Sequence, residues 1–157
     1  MNDSSAAGEE YAQLLVVMAG GRTCGLPVGI VREVAEPPPV TRVPFAPPSV
    51  VGIATLRDET MPVVDLRLRL GGESAPGPAY RVVVVEVEDR GRVGLLVDGV
   101  AGLRPQPPPQ DTEEVPASLA GALPEGVAWG LARFGAETVL MLDAGRLLAV
   151  DAGSARG

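Results

Sequence analysis

Short apolar runs rich in β-branched residues alternate with polar, glycine- and proline-containing turns along most of the chain. In the clearest example, the apolar run ending at Leu56 is followed by four polar residues and then by a second apolar run, MPVVD, which ends at Asp65. Two such runs around a short polar turn predict a β-hairpin. Pro62 has no N–H to donate, so we expect it near the start of a strand or on a sheet edge.

The same pattern predicts about ten short strands and little helix, and therefore an all-β fold. Besides the hairpin, strands are expected at residues 12–19, 23–28, 40–43, 80–88, 93–97, 100–103, 127–134 and 138–143. The last apolar residues, 147–150, are expected to pack the end of the domain.

Two segments permit short helices. From Gly29 the spacing of the apolar residues up to Val34 favours one or two helical turns, which a run of three prolines then ends. Asp65 suits the N-cap of a short helix that Gly71 would terminate. The alternation of Leu and Arg over residues 66–70 equally permits a continued strand, so both structures remain open for that segment.

The chain contains an internal repeat. The segment from Tyr11, YAQLLVVMAGGRTCGLPVGIVREV, aligns without a gap with the segment from Tyr80, YRVVVVEVEDRGRVGLLVDGVAGL. The hairpin from Gly52, GIATLRDETMPVVD, aligns in the same way with GLARFGAETVLMLD from Gly130. Shared Gly, Tyr, Thr and Asp positions argue against chance similarity among valine-rich strands. The repeat therefore predicts two related β-units.

The repeat also sets the expected domain boundaries. We expect a single domain over residues 11–150, made of one subdomain at about 11–71 and another at about 80–150, between tails at 1–10 and 151–157. Each subdomain would have about sixty residues, a size at which a separate core is marginal. The two are therefore expected to share one core. The first tail is rich in small and acidic residues and is expected to be disordered.

Composition narrows the class of function. There is no apolar run of about 18 residues and no signal-peptide pattern at the acidic start, so we expect a cytoplasmic protein without a membrane insertion. The single cysteine, Cys24, agrees with that compartment. A net charge of −7 disfavours nucleic-acid binding. All thirteen basic residues are Arg, so a Schiff-base or P-loop lysine, a His base and a His metal ligand are excluded.

The central hairpin resembles the signature of the CheW family, the coupling proteins of bacterial chemosensory arrays. The family pattern is a Gly, a hydrophobic pair, N-L-R-G, a short gap and P-V-x-D-L-R; here it reads Gly52, then TLRD at 55–58 and PVVDLR at 62–67. Thr55 replaces the usual Asn and Asp58 the usual Gly. Further family motifs follow in order, VREV at 31–34, RVP at 42–44, GLLVD at 94–98 and LMLD at 140–143, so that the resemblance covers nearly the whole chain.

The resemblance implies a fold and a function. The implied fold is two packed five-stranded SH3-like β-barrel subdomains. The implied function is a non-catalytic adaptor, without a cofactor, that couples chemoreceptors to a CheA-type histidine kinase by binding the receptor's cytoplasmic tip and the kinase's regulatory domain. One alternative is a divergent CheW-like protein of a non-flagellar pathway that binds only one of these partners. An alternative from another class is a small β-barrel that binds a ligand.

The resemblance also implies a receptor-binding site at Val31, Glu33, Arg57 and Asp58. The family's receptor-facing groove uses the residues that match the first three, and Arg57 has only Gly135 as its counterpart in the second repeat. An ion pair between Glu33 and Arg57 is expected. Because Asp58 stands at a Gly position, we expect a left-handed backbone there, which Asp tolerates better than most residues. Its charge beside Arg57 bears on partner choice.

Candidates for binding the kinase are placed by position only. The family joins the kinase through the ends of both barrels, and Asp98, Val100 and Leu103 follow the predicted strand at 93–97. These three residues have no chemical signature of their own.

The remaining polar and aromatic candidates have simpler structural explanations. Asp65, Asp98 and Asp143 each follow an apolar strand, and turn or cap chemistry explains them better than a metal site. Cys24 is expected to be a small buried hydrophobe, and Trp129 a core residue. No catalytic residue, metal ligand or cofactor site is predicted.

Overall fold

The computed structural model describes residues 12–71 and 79–149. Within these ranges ten strands form two five-stranded sheets, which confirms the predicted all-β class. The strands are β1 (Gln13–Ala19), β2 (Arg22–Pro27), β3 (Val31–Ala35), β4 (Val50–Leu56), β5 (Glu59–Asp65), β6 (Arg81–Val87), β7 (Gly91–Val97), β8 (Gly99–Pro105), β9 (Ala128–Phe134) and β10 (Glu137–Leu142).

Short helical segments connect the strands. They are 3-10 turns at Val28–Ile30 and Pro109–Asp111, helix α1 (Leu66–Arg69), helix α2 (Ala117–Ala120) and a helical stretch at 144–149. The predicted tails, Tyr11, Val150 and most of the linker between the two predicted subdomains lie outside the described residues.

Each sheet takes strands from both halves of the chain. Sheet A has the order β8-β1-β2-β10-β9, and sheet B has the order β3-β6-β7-β5-β4. The five consecutive strands β3 to β7 form all of sheet B, whereas sheet A joins the first hairpin to the last three strands. The predicted sequential subdomains, 11–71 and 80–150, are therefore wrong as sheet-forming units. The reason is that β3 and β5 pair with β6 and β7 and not with β1 and β2.

The two sheets nevertheless follow one plan, which supports the internal repeat. In each sheet a hairpin lies between a single strand on one side and a second hairpin on the other. The parallel pair Met141–Gly25 in sheet A corresponds to the pair Val63–Gly94 in sheet B. Even the β-bulges correspond, since Ala101 in β8 and Arg32 in β3 are both left without a partner.

The predicted gapless alignment is wrong by one residue in the first strand. Two residues separate the paired Ala19 and Arg22 in sheet A, whereas three separate Val87 and Gly91 in sheet B. Turn length fixes the register of a hairpin, so the longer turn shifts β6 by one position relative to β1.

Two predicted elements differ from the observed structure. The apolar spacing before Val34 favoured helical turns, but Val31–Ala35 is a strand paired with β6. Valine fits a strand well, and pairing with a distant segment decides a spacing that was ambiguous locally. The predicted strand at 40–43 is reduced to one bridge between Thr41 and Ile53. Prolines on both sides lack the N–H that a longer ladder needs.

Two glycines shared by the repeats allow the chain to cross over each sheet closely. A Cβ atom on Gly52 would lie 2.0 Å from the carbonyl oxygen of Thr41, and one on Gly130 would lie 2.5 Å from Cγ2 of Thr112. Only glycine fits at these positions without displacing the crossing segment. The close approach gives a physical reason for the Gly in the signature hairpin.

The two sheets share one core, as predicted. Its largest cluster combines residues of the hairpin β1–β2, such as Val17 and Leu26, with residues of the hairpin β6–β7, such as Val85 and Leu95. All four of these side chains are fully buried. Removing either hairpin would therefore expose apolar surface of the other sheet.

The segment after Asp65 is a helix, which decides between the two structures that the sequence left open. Oδ1 of Asp65 accepts a hydrogen bond from the backbone N–H of Arg67 at 3.0 Å, so Asp65 caps helix α1. The same carboxylate binds the Arg67 guanidinium through two bonds of 2.9 and 2.8 Å. Arg67 is only 3 % exposed, and its remaining Nη1 donates to Asp98 at 3.0 Å.

A second buried arginine ties α1 to the end of the domain. Arg69 donates from Nε to the carbonyl oxygen of Leu147 at 2.7 Å and from Nη2 to that of Arg146 at 3.2 Å. The Leu–Arg alternation of this segment thus buries arginines as well as leucines, because each guanidinium has fixed acceptors.

We expect the protein to unfold in one cooperative transition, because neither half of the chain contains a complete sheet. Residues 1–79 alone should lack a stable fold, since β3 and β5 lose β6 and β7. Circular dichroism during heating tests both statements. A matched fragment of residues 31–97, which contains all of sheet B, should retain more β-signal. Two well-separated transitions in the full chain, or a folded 1–79 fragment, would contradict this prediction.

We expect Arg67→Met to destabilise the protein by about 3–5 kcal/mol, because it leaves the buried Asp65 without its counter-charge. Denaturant unfolding monitored by circular dichroism measures the change. Arg90→Met is the control: it removes an exposed arginine from the β6–β7 turn and should change the stability by about 0.5 kcal/mol or less. Equal stability of the two variants would show that the buried ion pair contributes little.

Candidate protein-docking site

Glu33 and Arg57 form the ion pair that the sequence predicted. Glu33 lies on β3 and Arg57 in the turn between β4 and β5, and their Oε2 and Nε atoms are 2.6 Å apart. The strands β3 and β4 are the two outer strands of sheet B. The contact therefore shows that the sheet curls until its two edges meet at this end.

The β4–β5 turn has two residues, Arg57 and Asp58, between the paired Leu56 and Glu59. Both turn residues have positive φ angles, 53° for Arg57 and 67° for Asp58. Two left-handed residues make the kind of turn that matches the twist of a hairpin. The left-handed backbone expected at Asp58 is confirmed, and its carboxylate is placed directly after the paired arginine.

Four more charged side chains form a chain of ion pairs across sheet B, one each from β3, β6, β7 and β5. Nε of Arg32 on β3 lies 3.0 Å from Oε1 of Glu86 on β6. The same Oε1 lies 3.4 Å from Nε of Arg92 on β7, and Nη1 of Arg92 lies 3.0 Å from Oε1 of Glu59 on β5. Glu59 adjoins the turn that carries Arg57. One separate pair, Glu33–Arg57, and this chain of three ion pairs thus lie at the same end of sheet B. We call the six residues the charged cluster: Arg32, Glu33, Arg57, Glu59, Glu86 and Arg92.

The charged cluster is exposed to solvent, and this limits how much its ion pairs stabilise the fold. The side chain of Arg57 is 76 % exposed, and those of Arg32, Glu86, Arg92 and Glu59 are between 38 and 47 % exposed. Ion pairs of this kind contribute about 0–1 kcal/mol each to stability. The hydrogen bond from Arg32 lowers the pKa of Glu86, so its carboxylate stays ionised at neutral pH. The charged side chains of the cluster can therefore leave their present ion pairs and bind the charges of another protein with little loss of folding stability.

Val31, the fourth predicted receptor residue, lies two residues before Glu33 on the same strand. It is partly buried and packs against the main core, and it adjoins the charged cluster. The structure thus brings together all four predicted residues at one end of sheet B.

The predicted kinase residues lie on or next to β8 in sheet A. Val100 is the repeat counterpart of Val31, because the bulges place both at the same point of their sheets. It is partly buried against the main core, whereas Leu103 is 54 % exposed. Leu103 can therefore contact a partner directly.

Asp98 is engaged within the protein. Its Oδ2 accepts from the backbone N–H of Gly20 at 2.8 Å, and its Oδ1 accepts from Arg67. Since both carboxylate oxygens hold elements of the fold, Asp98 has a structural role at the junction of the two sheets.

The other candidates behave as turn, cap or core residues, with one exception. Asp143 accepts a hydrogen bond from the backbone N–H of Arg146 at 3.0 Å. Cys24 is buried, and burial raises the pKa of its thiol to about 12, which makes it a poor nucleophile. Trp129 is 47 % exposed, so its predicted core position is wrong. It sits at a β-bulge, between residues paired with Met141 and Leu142.

Within residues 12–71 and 79–149, no cluster of three or more Cys, Asp or Glu side chains suits a metal ion. In the same ranges, no helix is long and apolar enough to cross a membrane.

Sequence reasoning missed the residues that complete the site. It singled out Arg57 and Glu33 but not Glu86 or Arg92, which lie on strands far away in the chain. A signal was present, since both are charged residues on strands that are otherwise mostly apolar. Their partners depend on the exchange of strands between the halves, which the sequence did not reveal.

Comparisons with known proteins agree with this geometry. The family model described as CheW-like domain matches residues 13–152. The probable chemotaxis protein CheW of Rhizobium etli is 33 % identical over 58 % of this chain and 59 % of its own length. Protein PilI of Pseudomonas aeruginosa is 37 % identical over 67 % of this chain and 59 % of its own length. The matched part of the chain thus spans less than two thirds of each of these relatives.

A solved structure extends the likeness to most of the fold. The scaffolding protein TtCheW from Thermoanaerobacter tengcongensis superposes with a TM-score of 0.72 at 25 % identity, covering 84 % of this chain and 88 % of that protein. The order of motifs, the paired five-stranded sheets and the match over residues 13–152 all agree, and the chain belongs to the CheW-like family.

Proposed function

We propose that this protein is a non-catalytic adaptor of a chemosensory system, which couples a chemoreceptor to a CheA-type histidine kinase. The observation that carries the proposal is the exposed Glu33–Arg57 pair, held at the end of sheet B by a two-residue turn. The pair combines a turn of fixed backbone geometry with charges that contribute little to the stability of the fold. Such a surface is suited to docking a partner protein.

The charged cluster is the proposed contact for the receptor's helical cytoplasmic tip. Val31 borders it with apolar surface, and Arg57 and Asp58 present opposite charges side by side. Sheet A has no counterpart of this pair, because Gly102 and Gly135 stand where sheet B has Glu33 and Arg57. The proposed kinase contact is β8, where Val100 and the exposed Leu103 offer apolar surface.

In this proposal the protein acts in the cytoplasm by bridging two partners. Sheet B holds the receptor and sheet A holds the kinase's regulatory domain. Because both sheets share one core, the two docking surfaces are held at a fixed relative position by packed side chains. No bound cofactor and no chemical step are needed.

A second proposal assigns the protein to a non-flagellar pathway in which it binds only one of the two partners. The negative charge of Asp58 beside Arg57 favours it, as does the likeness to a relative that is named Protein PilI and not as a chemotaxis protein. Binding assays with separate receptor and kinase fragments discriminate between the two proposals.

We expect Arg57→Glu to weaken binding of a receptor-tip fragment by about tenfold or more, because it repels Glu33 and reverses a charge at the interface. Binding to the kinase's regulatory domain should change little. Titration calorimetry measures both affinities, and circular dichroism confirms the fold. The matched control is Arg133→Glu, which reverses an exposed arginine paired with Glu113 on sheet A. Unchanged receptor affinity in a folded Arg57→Glu protein would remove Arg57 from the site.

We expect no nucleotide turnover by the protein alone, because phosphoryl transfer uses a phosphate cradle and a metal that the motifs of this chain do not provide. Added to receptor and kinase, it should increase autophosphorylation of the kinase. Incorporation of labelled phosphate measures both activities. A kinase rate that is the same with and without the protein would contradict the coupling role.

A further inference from the structure

Phe45 is held in an unusual position for an aromatic residue. Phe45 is fully exposed, more than any other large hydrophobic residue in the part of the chain that the structure describes. Its backbone has a φ of 64°, in the left-handed region that residues other than glycine seldom adopt. Exposure and backbone conformation are both unfavourable in the isolated protein. Such positions occur where a functional contact requires them.

The loop around Phe45 is stiff and anchored. Pro44, Pro47 and Pro48 restrict the backbone on both sides of the phenyl ring. The N–H of Val50 donates to the carbonyl oxygen of Pro47 at 2.9 Å. The backbone carbonyl oxygen of the buried Ser49 accepts a hydrogen bond from the N–H of Asp65 at 2.8 Å, which fixes the loop to the end of β5. The phenyl ring is therefore presented by a fixed framework.

A shallow cleft of about 360 Å³ lies beside the ring, and it has a distinctive charge. It is lined by residues 42–48, Val50 and Val51, of which only Arg42 is charged. No acidic residue occurs from residue 37 to residue 57, in a chain whose net charge is −7. We call this surface the Phe45 platform. Its charge is complementary to carboxylates, unlike that of the chain as a whole.

The neighbouring sheet edge limits how a partner can bind. Although β4 is the outer strand of sheet B, Ile53 already exchanges two backbone hydrogen bonds of 2.8 Å with Thr41. An added strand would find those groups occupied at the centre of β4. The blocked centre of β4 therefore favours a partner that binds through side chains, as an amphipathic helix does in a groove.

We propose that the Phe45 platform binds an amphipathic helix of a partner protein, one that carries Asp or Glu beside Leu or Ile. Phe45 packs on the apolar face of that helix, and Arg42 pairs with its carboxylates. This site is separate from the Glu33–Arg57 pair. Phe45 and Arg42 precede β4 and Arg57 follows it, and a seven-residue strand spans about 23 Å.

The test uses a defined probe, a fluorescein-labelled 18-residue helical peptide of Leu and Glu with one apolar face. Fluorescence anisotropy should show micromolar binding to the full chain. Phe45→Asn should weaken it about tenfold or more, as expected for an aromatic anchor. Asn tolerates the left-handed backbone, so this variant tests the ring and leaves the loop intact. Arg42→Gln should weaken binding several-fold.

Two controls separate the platform from general stickiness. Tyr80→Asn removes another exposed aromatic residue, 57 % exposed and outside the loop, and should leave peptide binding unchanged. A peptide of Leu and Lys should bind independently of Phe45, through the acidic surface elsewhere. The assay contains neither receptor nor kinase, so its outcome does not depend on the proposed adaptor function.

Three results would overturn the proposal. They are no binding of the Leu–Glu peptide, binding that Phe45→Asn leaves unchanged, and self-association of the wild-type chain that disappears in Phe45→Asn. Sedimentation velocity measures the last of these, which would assign the platform to a second copy of the chain.

Discussion

The buried ion pair between Arg67 and Asp65 is the contact on which the junction of the two sheets depends. Arg67 keeps its charge at every pH that the fold survives, and neighbouring carboxylates raise its pKa further. A permanent charge in the core needs fixed partners. Asp65 at the end of sheet B supplies one of them, and Asp98 supplies the other while also binding Gly20 in sheet A. The D-L-R motif of the signature hairpin is therefore structural.

The two sheets show how a duplicated plan can separate stability from recognition. Positions that the repeats share have a packing explanation, as with Gly52 and Gly130 at the chain crossings. The charged residues Glu33 and Arg57 of sheet B correspond to two glycines in the other copy. Because exposed charges contribute little to stability, one copy can acquire a charged pair at a point where the other copy has none.

The sequence predicted local structure well and long-range pairing poorly. Strand positions follow from valine-rich runs and turn residues, and the Glu33–Arg57 pair follows from the family motif. The assignment of strands to sheets failed, because the two hairpins of the repeat are alike and each can complete either sheet as far as local pattern shows. Trp129 was misjudged for a related reason, and the sequence did not predict the burial of Arg67. A bulge turns the tryptophan outward, and the distant Asp98 joins the adjacent Asp65 in making burial of the arginine possible.

The hairpin β1–β2 is far in the chain from the strands that complete its sheet, and this has a consequence for the order of folding on the ribosome. Sheet B is continuous in the chain, so it can form as soon as Val97 has left the exit tunnel. The hairpin β1–β2 is synthesised first but pairs with β8 and β10, which arrive last. Domains usually assemble from the N-terminal end during synthesis. Here the earlier hairpin must wait for the later strands, and its apolar side chains stay without their sheet partners in the interval.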